Sequence, residues 1–303
     1  MDIMSGQARG ALLVDLSIST YMGRVQDKRT RDEVTSSKGA KSKRAASVYK
    51  SLFADCAELD AITSFQARLR AANYKYTSPW SDSGLRILPA SLLQTHQDIM
   101  YNEEREFWRL VDAFLDKYDT LVSAAAFQLG ALFDRREYLS RSEVRRRFAF
   151  TLTYMPLPTS GDFRIDLENT AQQLLVTQYE ERMKAMQERA ARDSWDRLYS
   201  ALTRLQKQLA PKTDGKRGKI YDSLIGNVHE LCGLLEHFNV SNDPQLEAMR
   251  KGLLGAVDGV TTDALRQEAD TREVLRAKVE KLLGDRDWGL SDEAEDEPME
   301  LAA

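Results

Sequence analysis

The amino-acid sequence predicts a mainly α protein of the α+β kind: a long antiparallel helical hairpin with a small β-sheet at one end, then a C-terminal helical bundle. Three observations carry this expectation. Proline and glycine number only 7 and 16 in 303 residues, about half and about three quarters of the usual shares of these helix-interrupting types. Two apolar seams, Phe107 to Leu132 and Leu175 to Leu209, repeat mostly at spacings of three and four, the pattern of one face of a long helix and close to a coiled-coil heptad. Between them FAFTLTY, Phe148 to Tyr154, alternates large apolar with small or hydroxylated residues, the two-residue period of a strand.

In chain order, ALLVDLSISTYM (11–22) reads as a strand with Asp15, Ser17 and Ser19 on one alternate face. The polar stretch from Arg24 to Ser47, which contains Gly39, reads as a mobile basic loop or frayed helix. From Ala45 to Ala72 the residues Val48, Leu52, Cys56, Leu59, Ile62, Phe65 and Leu69 mark an amphipathic helix. The connector YKYTSPWSDSGLRILP, Tyr74 to Pro89, ends it with two prolines and a glycine. Ser91 can cap the first long helix. After FAFTLTY, the segment DFRIDL alternates again and completes a β-hairpin, to which the strand at 11–22 is added because an isolated hairpin is marginal in water. The second long helix starts near Asp166. Ala210 to Lys219 is a basic, Gly- and Pro-containing linker, and three shorter helices follow at 220–238, 243–257 and 262–283, their starts marked by Asp-Pro and Thr-Thr-Asp. The expected division is therefore 1–210, 211–284 and a disordered acidic tail over 285–303.

A 42% hydrophobic fraction excludes wholesale disorder. The net charge of -4 is uneven: from Asp285 onward eight acids face only Arg286, whereas residues 1–50 hold ten Lys or Arg against five acids. Charged termini of this kind serve as interaction elements. Two cysteines cannot make a disulfide framework, no apolar run is long enough for a bilayer, and the start lacks signal-peptide character, so an intracellular protein without a membrane segment is expected.

Chemistry has few places to reside. Histidine occurs only at His96, His229 and His237. His229, Cys232 and Glu236 share a helix face, but further ligands are missing and the surrounding leucines mark core, so no metal is expected. GKRGKIYDS lacks the spacing of a phosphate loop. The carboxylate pairs Asp55/Glu58, Glu103/Glu104 and Glu180/Glu181 suit surface ion pairs. No catalytic residue and no cofactor is expected, and the chain does not read as an enzyme. Nucleic-acid binding has more support: Arg68, Arg70, Tyr74, Lys75, Tyr76, Trp80 and Arg86 interleave cations with aromatics, the chemistry that stacks bases while holding phosphates. Arg145, Arg146 and Arg147 add a second group, preceded by Arg135, Arg136 and Arg141. The competing account pins the connector to the core, with Trp80 lined by Leu85, Ile87 and Leu88.

The connector, the FAFTLTYMPLPTSGDFRIDL block, RDSWDRLYSALTRLQKQL and IYDSLIGNVHELCGLL, in this order, resemble an uncharacterised phage and bacterial family catalogued as a domain of unknown function. The resemblance runs from about residue 12 to 283 and leaves out the acidic tail. It implies a phage-encoded accessory protein of the infected cell's cytoplasm, often encoded near MoxR-type AAA+ ATPases and their von Willebrand-type partners, with no catalytic residues to carry over. The leading functional expectation is non-catalytic binding of a protein partner, either a AAA+ ATPase or further copies of the same chain. The alternative is binding of single-stranded nucleic acid in phage replication or recombination.

Overall fold

The computed structural model describes residues 10–42, 44–157, 169–211, 220–286 and 288, with backbone alone over 169–175. The expected strand DFRIDL, the linker 212–219 and the tail from 289 lie outside the described residues. The molecule is mainly helical, 67% helix in nine helices among the described residues, with a small antiparallel sheet.

Strand β1 (Ala11–Ser19) leads into β2 (Arg24–Gln26), helix α1 (Lys28–Ser37) and β3 (Tyr49–Ser51); α2 follows at Ala57–Tyr76. The short strands β4 (Ser78–Pro79) and β5 (Arg86–Pro89) precede α3 (Leu93–Leu129), α4 (Arg141–Arg145) and β6 (Ala149–Pro156). Helix α5 (Asn169–Leu209) is followed by α6 (Ser223–Phe238), α7 (Pro244–Val257), α8 (Thr262–Gln267) and α9 (Ala269–Gly284). Two expectations need correction. The stretch 24–47, expected as a mobile loop or frayed helix, does hold a helix, α1, but it is capped at both ends and preceded by β2, and the chain leads on into β3. Helix α2 starts at Ala57 rather than Ala45: Val48 and Leu52 continue its spacing, but Tyr49–Ser51 pair with β2 instead and Asp55 turns the chain with φ 55°.

The chain forms two compact units that interleave along the sequence. One comprises Leu13–Thr77 and Leu92–Met155, the other Met1–Leu12, Ser78–Ser91 and Pro156–Ala303.

The first is an aromatic unit. Phe107, Val111, Phe114 and Tyr118 of the α3 seam are buried, and Phe53, Phe65, Tyr138 and Phe148 join the same cluster. Phe53 meets Phe114 and Tyr138 edge-on with centroids 5.8 and 5.4 Å apart, the arrangement that the ring quadrupoles favour. Two buried phenols donate to backbone carbonyls: Tyr118 to Leu139 O (2.8 Å) and Tyr138 to Leu52 O (2.7 Å). Gly23 is required here, since its φ is +58° and a Cβ would lie 3.0 Å from the Phe53 ring. Strands β1 and β6 are hydrogen-bonded neighbours. As expected, Asp15, Ser17 and Ser19 of β1 are exposed, while Leu13 and Val14 are buried.

The second is a leucine unit. Leu198, Leu202, Leu205 and Leu209 of α5 are at most 2% exposed, and Val228, Leu235, Leu253, Val257, Leu275 and Val279 of the following helices are buried as well. Two arginines turn inward onto backbone carbonyls. Arg272 gives Nε and an Nη to Leu265 O at 3.0 and 2.8 Å. Arg250 reaches Cys232 O while gripping Glu247 at 2.7 and 2.8 Å. At the end of α9, the Arg286 guanidinium lies 3.5 Å over Trp195, and Trp288 packs 5.1 Å from Tyr199 with its indole N–H on Leu283 O. In the same unit β4 and β5 pair antiparallel, Ser78 opposite Ile87 and Pro79 opposite Arg86, and Trp80, 4% exposed, sits at the turn.

Candidate functional site

The β2–α1–β3 module, residues 24–51, gathers exposed basic residues. Its local order has a clear origin. Asp27 caps α1, accepting from Thr30 N–H (3.0 Å) and Thr30 Oγ1 (2.9 Å), bonds that hold the Asp27 carboxyl below its ordinary pKa. Gly39, at φ +64°, ends the helix: Gly39 N–H returns to Ser36 O and Ala40 N–H to Thr35 O, the paired bonds of a Schellman stop. Thr35 is buried and bonds back to Arg31 O and Asp32 O.

The two strands pair antiparallel, with Arg24 opposite Ser51, Val25 opposite Lys50 and Gln26 opposite Tyr49. Opposed residues share a face. Val25 packs against the aromatic core. Lys50, whose side chain is 11% exposed, donates to Leu132 O (2.7 Å) and pairs with Glu137 (2.6 Å). This inner face fixes the ribbon, and Asp27 N–H on Val48 O and Leu52 N–H on Gly23 O close it at both ends. The outer face is Arg24, Gln26, Tyr49 and Ser51, all exposed, with Tyr49 at 64%. Around it Arg29 pairs with Glu33, Arg31 with Asp32 and Lys50 with Glu137. Arg24, Lys28, Lys38, Lys41 and Arg44 are exposed and, among the described residues, have no acidic partner.

The basic and aromatic residues singled out from sequence do not form one cluster. Arg68, Arg70, Tyr74, Lys75 and Tyr76 lie on α2 of the aromatic unit, and Trp80 and Arg86 lie in the leucine unit. Arg68 rests 4.7 Å over Phe65 and 3.5 Å from Glu103. Lys75 sits 5.8 Å over Tyr76, while Arg70 and Tyr74 face solvent. Arg86 is half-buried in β5, and the buried Trp80 indole has no free face for stacking. In the second group Arg145 is spent on Asp112 and lies 5.2 Å over Trp108, and its neighbour Arg141 pairs with Asp116; Arg146 and Arg147 are exposed.

The histidines divide sharply. His96 is fully buried between Asn73 and Tyr154, with Nε2 2.9 Å from Asn73 Oδ1 and Nδ1 2.8 Å from Tyr154 O–H. An amide oxygen only accepts, so with this side-chain assignment Nε2 carries the proton and Nδ1 accepts from the phenol. Burial lowers the imidazole pKa to about 4. The network holds a neutral ring between α2, α3 and β6. His229 and His237 are exposed, and His237 Nδ1 lies 3.0 Å from Ser91 Oγ. The Cys232 thiol is buried and pushed up to about 11 by desolvation, which suppresses the thiolate that a metal or nucleophile role needs. Among the described residues no group of three or more His, Cys, Asp or Glu is placed to hold a metal ion, and no helix is long and apolar enough to cross a membrane.

Sequence reasoning missed both the ribbon and the His96 network. Asp27, Thr30 and Gly39 were visible signals for α1. Nothing local announces three-residue strands paired across an intervening helix. Compared with protein-family models, curated proteins and solved structures, the chain matches none of them.

Proposed function

We propose that the protein acts by binding another macromolecule, with no chemistry of its own, and that the β2–α1–β3 module binds nucleic acid. The observation that carries this reading is the set of five exposed, acid-free cations around an exposed aromatic ribbon face. Phosphates that neutralise such cations release condensed counterions, and that release drives binding. The charge balance agrees. The aromatic unit has 21 basic and 17 acidic residues, and the leucine unit has 22 and 30, so the acidic total conceals a cationic half. Anisotropy of a fluorescein-labelled oligonucleotide titrated at several salt concentrations tests the reading. Binding that weakens steeply with salt is expected, and no anisotropy change at low salt would overturn it.

A second reading, favoured by Phe127, is a phage accessory protein in the cytoplasm of the infected cell that binds a AAA+ ATPase or further copies of itself. Phe127 of α3 is 93% exposed, and Leu132 just beyond the helix is 47% exposed, apolar surface of the kind that partners cover. An antiparallel pairing of α3 with α5, a coiled coil along their seams and a C-terminal bundle belong to this reading. Size-exclusion chromatography with light scattering tests self-association, and a strict monomer near 34.4 kDa counts against it.

A further inference from the structure

We infer that the outer face of the β2–β3 ribbon is a single-strand site at which the Tyr49 ring stacks on a base while Arg24 and the α1 cations hold the flanking phosphates. The inference rests on the nucleic-acid reading and specifies strand form and the residue that recognises it. Tyr49 is 64% exposed although its strand is fixed from behind by Lys50 and the Val25 contact. The ring is therefore presented from a rigid backbone, and stacking does not require ordering a loop. Gln26 stands directly opposite Tyr49, and Arg24 is on the diagonal, since it opposes Ser51. Diagonal neighbours on one face lie about 7–8 Å apart, so an amide that can bond base edges and a guanidinium that can bond phosphate flank the ring. The cations of Lys28, Lys38, Lys41 and Arg44 continue the positive surface along α1 and the turn after it.

Duplex DNA fits the same face less well. β-ribbons that read a major groove lie along it or enter it, but here each strand has three residues, about 10 Å of ribbon. One end runs into α1 and the other into Gly23, buried against Phe53, so neither end is a free tip. A ring with an open face suits any exposed base, because every base has a π-face.

The test compares a labelled oligo-dT of about 16 nucleotides with a blunt duplex of the same length, using the full chain and its Tyr49→Ala, Tyr49→Phe and Lys38→Ala variants. Expected are tighter binding of the single strand than of the duplex and a loss of about 5- to 100-fold in single-strand affinity for Tyr49→Ala. The salt slope of Tyr49→Ala should stay unchanged, and Tyr49→Phe should retain the affinity. Lys38→Ala should instead flatten the salt slope on both probes. Equal binding of the duplex, or a Tyr49→Ala protein that melts and binds like the parent, overturns the stacking inference and leaves nucleic-acid binding standing. If neither probe binds at low salt, the nucleic-acid reading fails and the inference with it. Should Tyr49→Ala melt early, Tyr49→Phe and Tyr49→Ser decide the matter: a phenylalanine that binds no better than serine overturns the proposal.

Discussion

Arg250 and Arg272 of the leucine unit and Arg24 and Arg44 of the aromatic unit do opposite work. The first two turn inward and are buried, their guanidinium groups closing the backbone carbonyls of Cys232 and Leu265. In the aromatic unit the Tyr118 and Tyr138 hydroxyls and the Lys50 and Arg135 side chains donate to backbone carbonyls, while Arg24 and Arg44 remain at the surface. A buried cation is held by what it caps, whereas an exposed one without an acid is available to an anionic partner. Net charge already separates the units, and the placement of each cation shows which of them an anionic partner can reach.

The largest expected effect strikes the two cores. Phe114→Ala removes a ring with no exposure, packed on Phe53, Tyr118 and Phe148, and Trp80→Ala removes an indole 4% exposed. Each should cost about 3–5 kcal/mol in urea unfolding, and a Trp80→Ala protein that melts with the parent would show the β4–β5 turn to be less packed than described. Next is the buried imidazole. Between pH 6.5 and about 4 the unfolded chain takes up a proton that folded His96 refuses. This contribution is complete above pH 6.5 and drains away as pH falls, by about 2–3 kcal/mol. Unfolding at pH 7 and pH 5 should show that loss in the parent and much less of it in His96→Gln.

A smaller effect sharpens the contrast between the arginines. Arg272→Met leaves Leu265 O without its donors and should cost about 1–3 kcal/mol, while Arg44→Met should melt with the parent. Equal stability of the two variants would break the comparison. The smallest change concerns stability least and binding most. With Lys28, Lys38 and Lys41 all replaced by alanine, the melting temperature should hold, and the logarithmic salt slope of oligonucleotide binding should shrink by about 0.7 for every phosphate no longer neutralised.

Legibility in the sequence followed the range of the determining interactions. Helices α3, α5, α6 and α7 were readable because an apolar face repeats over several turns, and β1 because Asp15, Ser17 and Ser19 alternate with apolar residues, whereas the helix expected over 262–283 is divided at Glu268 into α8 and α9. The start of α2 was misplaced because Val48, Leu52 and Cys56 keep helical spacing while β3 takes Tyr49–Ser51 into a pairing with β2. That pairing is non-local, and strands of three residues are too short to show a period. The candidate site was harder still. Arg141 and Arg145 read as available cations until Asp116 and Asp112 of α3 claim them, whereas Lys38 and Arg44, set in a polar stretch of sequence, have no acidic partner among the described residues. Which cations lack an acid is decided by tertiary neighbours, and no spacing along the chain records it.

The tryptophans divide three to one between the units, and this has an optical consequence. Trp80, Trp195 and Trp288 belong to the leucine unit and Trp108 alone to the aromatic unit. Trp195 and Trp288 share the Arg286 guanidinium at 3.5 and 5.9 Å, so their emission reports the end of α9 more than the whole molecule. Trp108, edge-on to Phe107 and beneath Arg145, is a built-in lamp for the other half. A chain in which the other three are phenylalanine and a second in which Trp108 alone is phenylalanine would let each unit's unfolding be watched by its own tryptophans, and non-coincident transitions of the two would reveal that the units melt separately.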